Sequence, residues 1–480
     1  MSPRRGKWFK RIFAILFGLS LFVIAELVCV VCDWGRPTDY DDPFVGFSSI
    51  HPLFILDDAK KNYFIPDSRI GPFAEETFPA KKNPNTFRVF CLGGSTVQGR
   101  PYSHATSFPK WLELGLTATD PSRQWQVINC GGISYASYRL TPILAECLTY
   151  EPDLIILCAG HNEFLEERSY ANIKHAPPVL SGTRQTLLRL RTAVLLRDLL
   201  VTKEEPDRHS MSTEVDALLD HKGGLESYYR DDKWTASVVE HFDHNVRNMI
   251  KMARDAGVPM ILVKPPSNLS DTPPFKSEHR DGITKIQLDQ WKSLFESSQE
   301  HYKDNAGHAA QLLNHALGFD DQHALTLYML GRCHYLLGAT NEARMLLTEA
   351  RDKDICPLRM TSPLENRLIT TASESNTPLL DAHQLLEREC PGHILGDHML
   401  VDHVHPTFRG NQMIANALIA ELERRGWARP DDDWRAVAES AFQEHFATLD
   451  DAYFVKGDRT LKHLEMWTRA RQGFEEGKKN

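Results

Sequence analysis

Residues 87–96 read FRVFCLGGST, an apolar run that ends in two glycines and a serine. A short apolar run that stops at turn residues is typical of a strand buried on both faces of a parallel sheet. Three further runs of this kind, at residues 125–129, 153–158 and 258–264, are soon followed by Gly, Asn or Pro. The pattern therefore predicts four strands of one sheet.

Helical stretches separate these strands. Residues 107–118, 137–149 and 238–256 read as helices, and the last of them runs into Gly257 as a helix does at its C-cap. Strands that alternate with helices predict an α/β fold, in which helices cover both faces of a parallel sheet. Ligands of such sheets bind at the carboxyl ends of the strands, where we expect the four turns to gather.

Four polar residues in the chain are suited to acyl transfer. Ser95 follows two glycines, whose missing side chains let the backbone turn sharply and expose the hydroxyl. Asp402 and His405 lie three residues apart, so a turn places both on one side and the carboxylate can fix the imidazole tautomer. Asn162 follows the third strand, where its amide can stabilise an oxyanion. A nucleophile, a base, an orienting carboxylate and oxyanion donors are the groups that this chemistry requires.

Together these blocks resemble the SGNH/GDSL hydrolases, a family of serine esterases. The residues GGST at 93–96 stand where the family has its G-D-S block, and GHNE at 160–163 stand where it has G-x-N-D. Residues 402–405 match its D-x-x-H block, and the three blocks occur in the family's order. The resemblance covers three stretches, at residues 86–166, 238–275 and 376–424.

The resemblance implies an SGNH-hydrolase-like, flavodoxin-like parallel sheet sandwiched by helices. The catalytic residues that it implies are Ser95, Asp402 and His405, with Asn162 in the oxyanion hole. His161 and His403 also flank these blocks. His405 is the better base, because an Asp lies three residues before it and a Pro directly after it.

The chain departs from the family pattern in its first three blocks. Gly94 replaces the usual Asp, and Glu163 replaces the Asp that follows the oxyanion Asn. In the second block, residues 129–134, ungapped counting places Ser134 where a Gly would donate its backbone N–H. If the loop is shifted, Gly132 is the donor instead.

Composition narrows the class of protein. With 480 residues, 42% of them hydrophobic, the chain can form a large core and more than one domain. The net charge of −9 is spread without a basic stripe, which argues against nucleic acid as a partner. The nine cysteines suggest structural thiols, and we expect no metal. No G-x-G-x-x-G follows the first strand, so we expect no dinucleotide and no other cofactor.

The N-terminus has the pattern of a membrane anchor. Basic residues precede a nearly continuous apolar run at residues 12–32, and a span needs ~20 such residues. Glu26 interrupts the run. Because basic flanks stay inside, the N-terminus is expected to be cytoplasmic and the catalytic domain extracytoplasmic, or periplasmic in a bacterium. A removable signal is the alternative, although no small-x-small cleavage site is present.

The remaining chain divides into several segments around the hydrolase blocks. They are the basic stub and anchor at 1–32, a lead-in at 33–85, the first hydrolase part at 86–285, a helical insert at 286–355, the last hydrolase part at 356–426 and a helical tail at 427–480 that shows no chemistry. Within the first part, residues 165–235 form a partly helical insert, either a lid or a substrate wall.

The insert at 286–355 resembles about two tetratricopeptide repeats. Ala309 and Ala316 precede Ala343 and Ala350 by the same interval of 34 residues. One reading is a groove for a protein partner. The other, which we favour because ~3 repeats are needed for independent stability, is a helical cap packed on the catalytic domain.

The sequence therefore predicts a membrane-anchored serine esterase that acts through an acyl-serine intermediate. Its expected substrates are acyl or acetyl esters on an extracytoplasmic glycan or lipid. The same residues also suit an O-acetyltransferase, in which a sugar hydroxyl replaces water. A non-catalytic scaffold would be favoured by loss of Ser95, Asn162 or His405, and all three are present.

Overall fold

The computed structural model describes residues 17–18, 20–29, 32, 42, 44–47, 50–168, 191–192, 209–221 and 223–472. The chain forms two compact units. The smaller unit comprises Met1–Ser48 and Arg168–Met211, and the larger comprises Ser49–Glu167 and Ser212–Asn480. All of the proposed catalytic residues belong to the larger unit.

The described part of the larger unit is built on a five-stranded parallel sheet. Its strands are, in chain order, β1 (Thr86–Gly93), β2 (Gln124–Gly131), β3 (Leu154–Cys158), β4 (Met260–Lys264) and β5 (Leu379–Asp381). They lie in the order 5-4-3-1-2, and every neighbouring pair is parallel. This is the flavodoxin-like strand order, so the fold predicted for the hydrolase part is confirmed.

Both faces of the sheet are covered, which explains why its strands are continuously apolar. Val89 and Cys91 belong to a core that also contains residues of the helices Phe108–Thr119 and Phe408–Arg424. Phe90 points to the opposite face, as alternate residues of a strand do, and its ring packs against Phe78 at 5.5 Å. Every residue of β3 and β4 is buried.

Two groups of helices cover the sheet. In one group, Phe108–Thr119 packs with Phe408–Arg424 and with Trp434–Thr448. In the other, Ser137–Cys147 packs with Asp232–Asp255, which in turn packs with Ser362–Ser375. A short helix, Ala382–Glu387, connects β5 to the segment that carries Asp402.

The lead-in at 33–85 is more regular than its sequence suggests. Three short strands at Ile55–Leu56, Asn62–Phe64 and Thr77–Pro79 form an antiparallel sheet. Two or three residues are too few to show an alternating pattern, so the sequence gives no sign of these strands. Phe78 of the last strand is buried, which ties this sheet to the core under β1.

Four consecutive helices fill the predicted repeat segment. They are Lys285–His301, Ala306–Leu317, Ala324–Leu336 and Thr340–Asp352, and each packs against the next. The four alanines of the repeat pattern are buried where these helices meet. The Tyr328 hydroxyl donates a hydrogen bond of 3.0 Å to the Ser270 carbonyl after β4, so the helices contact the hydrolase part. The repeat class and a partner groove stay predictions.

The predicted membrane span is described only in part, and residues 186–200 of the insert, whose sequence predicts an amphipathic helix, lie almost entirely outside the described residues. Of the span at 12–32, residues 20–29 are helical, and 12–16, 19, 30 and 31 are not described. No helix within the described ranges has both the length and the apolar character to cross a bilayer. Of residues 186–200, the structure describes only 191–192.

Candidate active site

The candidate nucleophile lies where the strand order of the sheet reverses. Ser95 follows β1 and Asn162 follows β3, and these neighbouring strands continue to opposite sides of the sheet. Crevices at such switch points are the usual ligand sites of open α/β sheets. Ser95 begins the one-turn helix Ser95–Gln98, and its side chain is half-buried at the edge of the sheet.

The structure brings Ser95 together with Asp402 and His405, although His405 lies 310 positions after Ser95 in the sequence. The Ser95 hydroxyl lies 2.7 Å from Nε2 of His405, and Nδ1 of His405 lies 2.6 Å from a carboxylate oxygen of Asp402. A carboxylate only accepts hydrogen bonds, so Nδ1 carries the proton and Nε2 can accept the proton of the Ser95 hydroxyl. This is the tautomer that general-base catalysis needs.

A tight turn holds Asp402 and His405 in this geometry. The second carboxylate oxygen of Asp402 accepts the backbone N–H groups of Val404 and His405, at 2.9 and 2.8 Å. The N–H of Val401 donates to the carbonyl of His405 at 2.8 Å, which closes the turn from its other side. The spacing of three residues therefore fixes both the backbone and the side-chain pair.

The environment of Asp402 keeps its carboxylate ionised. Burial raises the pKa of Asp402, but the charges of His405 and His403 and the hydrogen bonds from His405 and Val404 lower it by more. The net pKa lies well below the usual range of an Asp, so this group carries a negative charge at neutral pH. A charged Asp402 can stabilise a protonated His405 during catalysis.

The other two nearby histidines do not contact Ser95. Nδ1 of His403 lies 3.7 Å from a carboxylate oxygen of Asp402, and burial lowers the pKa of His403 to about 4. Nδ1 of His161 accepts the backbone N–H of Met360 at 3.2 Å, and burial lowers its pKa to about 3. Both are therefore neutral at pH 7, and the geometry favours His405 as the base.

We expect the substitution His161→Asn to make the fold less sensitive to acid. The pKa of His161 is about 3 in the folded chain against 6.5 when unperturbed. The unfolded state thus binds the proton first, and stability is lost as the pH falls from about 6.5 toward about 3. When the pH is lowered from about 7 to about 5, the free energy of unfolding should fall less in the variant than in the parent. The difference should be about 2 kcal/mol, measured by urea titration at each pH. Equal losses in parent and variant would contradict a neutral, buried His161.

Asn162 is placed to donate to an oxyanion beside Ser95. Its side-chain amide donates one hydrogen bond of 3.0 Å to the carbonyl of Tyr135, and Asn162 lines the same cleft as Ser95. An amide nitrogen carries two hydrogens, and within the described part of the chain the second has no acceptor. The bond to Tyr135 fixes the orientation of the amide before any substrate binds.

The backbone distinguishes the two candidate donors in the second block. The N–H of Gly132 donates to the carbonyl of Gly93 at 2.9 Å, so it is already used. Ser134 lines the cleft, and none of the described carbonyls accepts its N–H. The φ angle of Ser134 is 65°, a left-handed conformation that favours glycine and explains why the family has Gly there. The geometry favours Ser134.

Gly94 lies directly against the side chain of Asn162. A Cβ atom at residue 94 would lie only 2.5 Å from the side-chain nitrogen of Asn162. A larger residue would therefore displace the amide or the turn. The other departure, Glu163, is completely buried and accepts the N–H and hydroxyl of Ser137, both at 2.9 Å, which anchors the helix that follows Ser134.

Removal of the Asn162 amide should slow ester hydrolysis without unfolding the chain. An oxyanion donor typically contributes about 10²- to 10³-fold to kcat, so we expect Asn162→Ala to lose that factor with little change in KM. Steady-state kinetics on a p-nitrophenyl ester measure it. Asn268→Ala offers a contrast, because Asn268 is buried and binds the carbonyl of Asp402, so its loss should lower stability as well. If Asn162→Ala lowers kcat by less than threefold, the assigned role is contradicted.

The candidate triad opens into a cleft of about 380 Å³. This volume is in the range of small-molecule sites. Most of the cleft wall is apolar and comes from several segments, namely Ile133, Leu165, Ala217, Leu219, Leu358 and Val404. Ala217 and Leu219 belong to the predicted insert 165–235, so this part of the insert lines the cleft, and its role as a lid or a substrate wall stays a prediction. Within the described ranges, no group of three or more His, Cys, Asp or Glu side chains is placed to hold a metal ion.

The C-terminal tail also reaches this cleft, which the sequence prediction missed. His463 and Leu464 of the helix Asp451–Gln472 line its edge. The helix is tied to the nucleophile loop by the hydroxyl of Tyr102, which donates to Asp458 at 2.8 Å. The sequence shows no chemistry in the tail, and only the structure places two of its residues at the cleft.

No family model and no curated protein matches the chain. Solved structures are similar to it at low identity. One, assigned to the lipolytic G-D-S-L family and from Desulfitobacterium hafniense DCB-2, is 12% identical over 69% of this chain and 97% of that chain, with a TM-score of 0.30. The lipase/acylhydrolase from Enterococcus faecalis is 12% identical over 72% and 99%, with a TM-score of 0.30. An acetylxylan esterase from Geobacillus stearothermophilus is 12% identical over 70% and 94%, with a TM-score of 0.31.

The strand order of this chain, with Ser95 and Asn162 at its switch point, is a feature of its own sheet.

Proposed function

We propose that this protein is an SGNH-type serine esterase that hydrolyses an ester through an acyl-serine intermediate. The observation that carries the proposal is the connected chain from Ser95 through His405 to Asp402, with separations of 2.7 and 2.6 Å, at the base of an accessible cleft. Nucleophile, base and orienting group are thus within hydrogen-bond reach before substrate binds.

In the first half of the reaction, the Ser95 hydroxyl attacks the ester carbonyl carbon while His405 takes its proton. The negative charge that forms on the carbonyl oxygen is stabilised by the amide of Asn162 and the N–H of Ser134. The ester C–O bond then breaks, and the alcohol leaves with the proton from His405. Asp402 holds the imidazolium in place during this transfer.

In the second half, water replaces the alcohol. His405 takes a proton from the water molecule as its oxygen attacks the acyl carbon, and the same donors stabilise the second oxyanion. The bond to Ser95 breaks, Ser95 regains its proton, and a carboxylic acid leaves. A sugar hydroxyl in place of water would make the same protein an O-acetyltransferase.

Anchoring by residues 12–32 and an acylated glycan or lipid as substrate are parts of the same proposal. The anchor is supported by the basic residues that precede the apolar run. The apolar side chains of helical residues 20–29 that the structure describes are largely exposed, for example Leu27 at 58%. An extracytoplasmic catalytic unit would meet acylated surface glycans and lipids.

The direct test is to trap the acyl-serine. The full chain is mixed with p-nitrophenyl acetate, quenched in acid, and the peptide that contains Ser95 is examined by mass spectrometry. We expect release of nitrophenolate and an acetyl group on Ser95. Turnover with no acetyl on this peptide, or acetyl on another serine, would overturn the mechanism. A sugar added as acceptor separates hydrolysis from transfer by its product.

A further inference from the structure

A positively charged side chain faces the cleft without a partner. Arg100 lies just after the one-turn helix that begins at Ser95, and its backbone N–H donates to the Ser95 carbonyl at 3.1 Å. The side chain is half-buried and lines the cleft beside the triad. Its Nε is buried without a hydrogen bond, and among the described residues no side chain or carbonyl pairs with its guanidinium. A buried donor without an acceptor costs free energy, so a group in the cleft that accepts a hydrogen bond from Nε would be stabilised.

Other buried arginines of the larger unit, some of which also leave Nε without a partner, bind protein groups through the rest of the guanidinium. Arg139 donates from two nitrogens to the carboxylate of Glu166. Arg351 pairs with Glu365 at 2.7 Å and with the hydroxyl of Ser362 at 2.8 Å. These pairs hold the fold together. Among the described residues Arg100 has no such pair, so its donors are available to a group that enters the cleft.

The carboxylates around the cleft do not neutralise Arg100. Both oxygens of Asp402 are engaged by His405 and by backbone N–H groups. Asp220 is exposed at the rim and forms no ion pair with Arg100. Burial lowers the pKa of Arg100 and the charge of Asp402 raises it, and an arginine remains protonated in either case. The cleft therefore offers a permanent positive charge.

The position of Arg100 indicates which half of an ester it would meet. His405 must give its proton to the departing alcohol, so that half of the substrate lies over His405. Arg100, His403 and His405 line the same cleft, so an anion on the departing alcohol can reach the guanidinium. The apolar residues Ile133 and Leu165 flank the oxyanion donors Ser134 and Asn162 in sequence and suit the acyl half.

We propose that Arg100 binds an anionic group on the alcohol half of the substrate, so that the enzyme prefers esters of an uncharged acyl group with a carboxylate- or phosphate-bearing alcohol. A planar guanidinium can bind either anion with two parallel hydrogen bonds. An acylated uronic acid and an acylated glycerol phosphate are the two sources of this chemistry. This inference rests on the esterase function proposed above.

The test compares matched esters that share one acyl group. One pair is the butyryl ester of glycerol and that of glycerol 3-phosphate, and the other is the butyryl ester of glucose and that of glucuronic acid. Release of butyric acid by the full chain in neutral detergent gives kcat and KM for each. We expect the anionic member of at least one pair to have a kcat/KM higher by about 10- to 100-fold, mainly through KM. The pair that shows the difference identifies phosphate or carboxylate as the anion.

Substitutions of Arg100 distinguish recognition of the anion from a structural role of this side chain. Arg100→Gln should abolish the preference by weakening only the anionic esters, and Arg100→Lys should restore part of it as a point charge. Arg247→Gln is the control for net charge, because Arg247 pairs with Asp243 on the outer helix Asp232–Asp255. If Arg100→Gln slows both members equally, Arg100 is a positioning residue and the inference is wrong. If the parent hydrolyses the neutral and the anionic ester of each pair equally well, the inference is also wrong. If the parent hydrolyses none of the esters, the proposed esterase function is wrong instead.

Discussion

Substitution of either Ser95 or His405 by alanine should abolish ester hydrolysis while leaving the chain folded. Without the Ser95 hydroxyl no acyl-enzyme can form, and without His405 the hydroxyl loses the base that lies 2.7 Å away. Removing one member of such a triad costs about 10⁴- to 10⁶-fold in kcat, and the loss for the double variant should be no larger than for either alone. Initial rates on p-nitrophenyl acetate, with thermal unfolding in parallel, measure both properties.

Two matched controls come from the same site. Ser134→Ala keeps the backbone N–H that serves the oxyanion, so we expect its activity to stay within a few-fold of the parent. His398 is exposed in the segment before the triad turn, and His398→Ala should be fully active. Ser95→Ala or His405→Ala with activity near that of the parent would show that the catalytic residues lie elsewhere. A folded but inactive parent would favour the scaffold hypothesis.

Substitution of Asp402 by asparagine should have the next largest effect, a loss of about 10³- to 10⁴-fold in kcat with KM nearly unchanged. The carboxylate accepts the Nδ1 proton of His405 at 2.6 Å and also two backbone N–H groups. An asparagine can present its NH₂ group to Nδ1, which moves the imidazole proton to Nε2. That nitrogen then faces Ser95 as a donor and cannot accept its proton.

The control for this prediction is the neighbouring histidine. His403 lies 3.7 Å from Asp402 and does not contact Ser95, so His403→Asn should retain most of the activity. NMR of the imidazole nitrogens reports the tautomer of His405 directly. If Asp402→Asn leaves the Nδ1 proton in place and kcat falls less than tenfold, the orienting role of Asp402 is wrong.

The local sequence pattern was sufficient to predict the elements that carry the candidate active-site residues. The stretch at 87–96 gave a strand and a turn because an apolar run buried on both faces has no polar residue until the chain leaves the sheet. Asp402 and His405 were identified as a pair because a spacing of three fits one tight turn, which depends only on nearby backbone. The strand order followed from the family resemblance and was confirmed by the sheet.

The other features of the site and of the fold depend on packing between segments that are far apart in the sequence. The choice between Ser134 and Gly132 depended on a φ angle and on a hydrogen bond to Gly93, neither of which a sequence shows. The small sheet at 55–79 has strands too short for a periodic pattern. Leu464 faces the cleft only because its helix docks beside Tyr102, more than 350 residues earlier in the chain.

The sequence by itself thus predicted the parallel sheet, the candidate nucleophile, the Asp–His pair and the candidate oxyanion asparagine, because each depends on burial or spacing within a few residues. The tertiary structure alone decided which backbone donor is free, which segments wall the cleft and that Arg100 has no partner among the described residues. Those properties arise from contacts between residues far apart in the chain, which a local sequence pattern does not show.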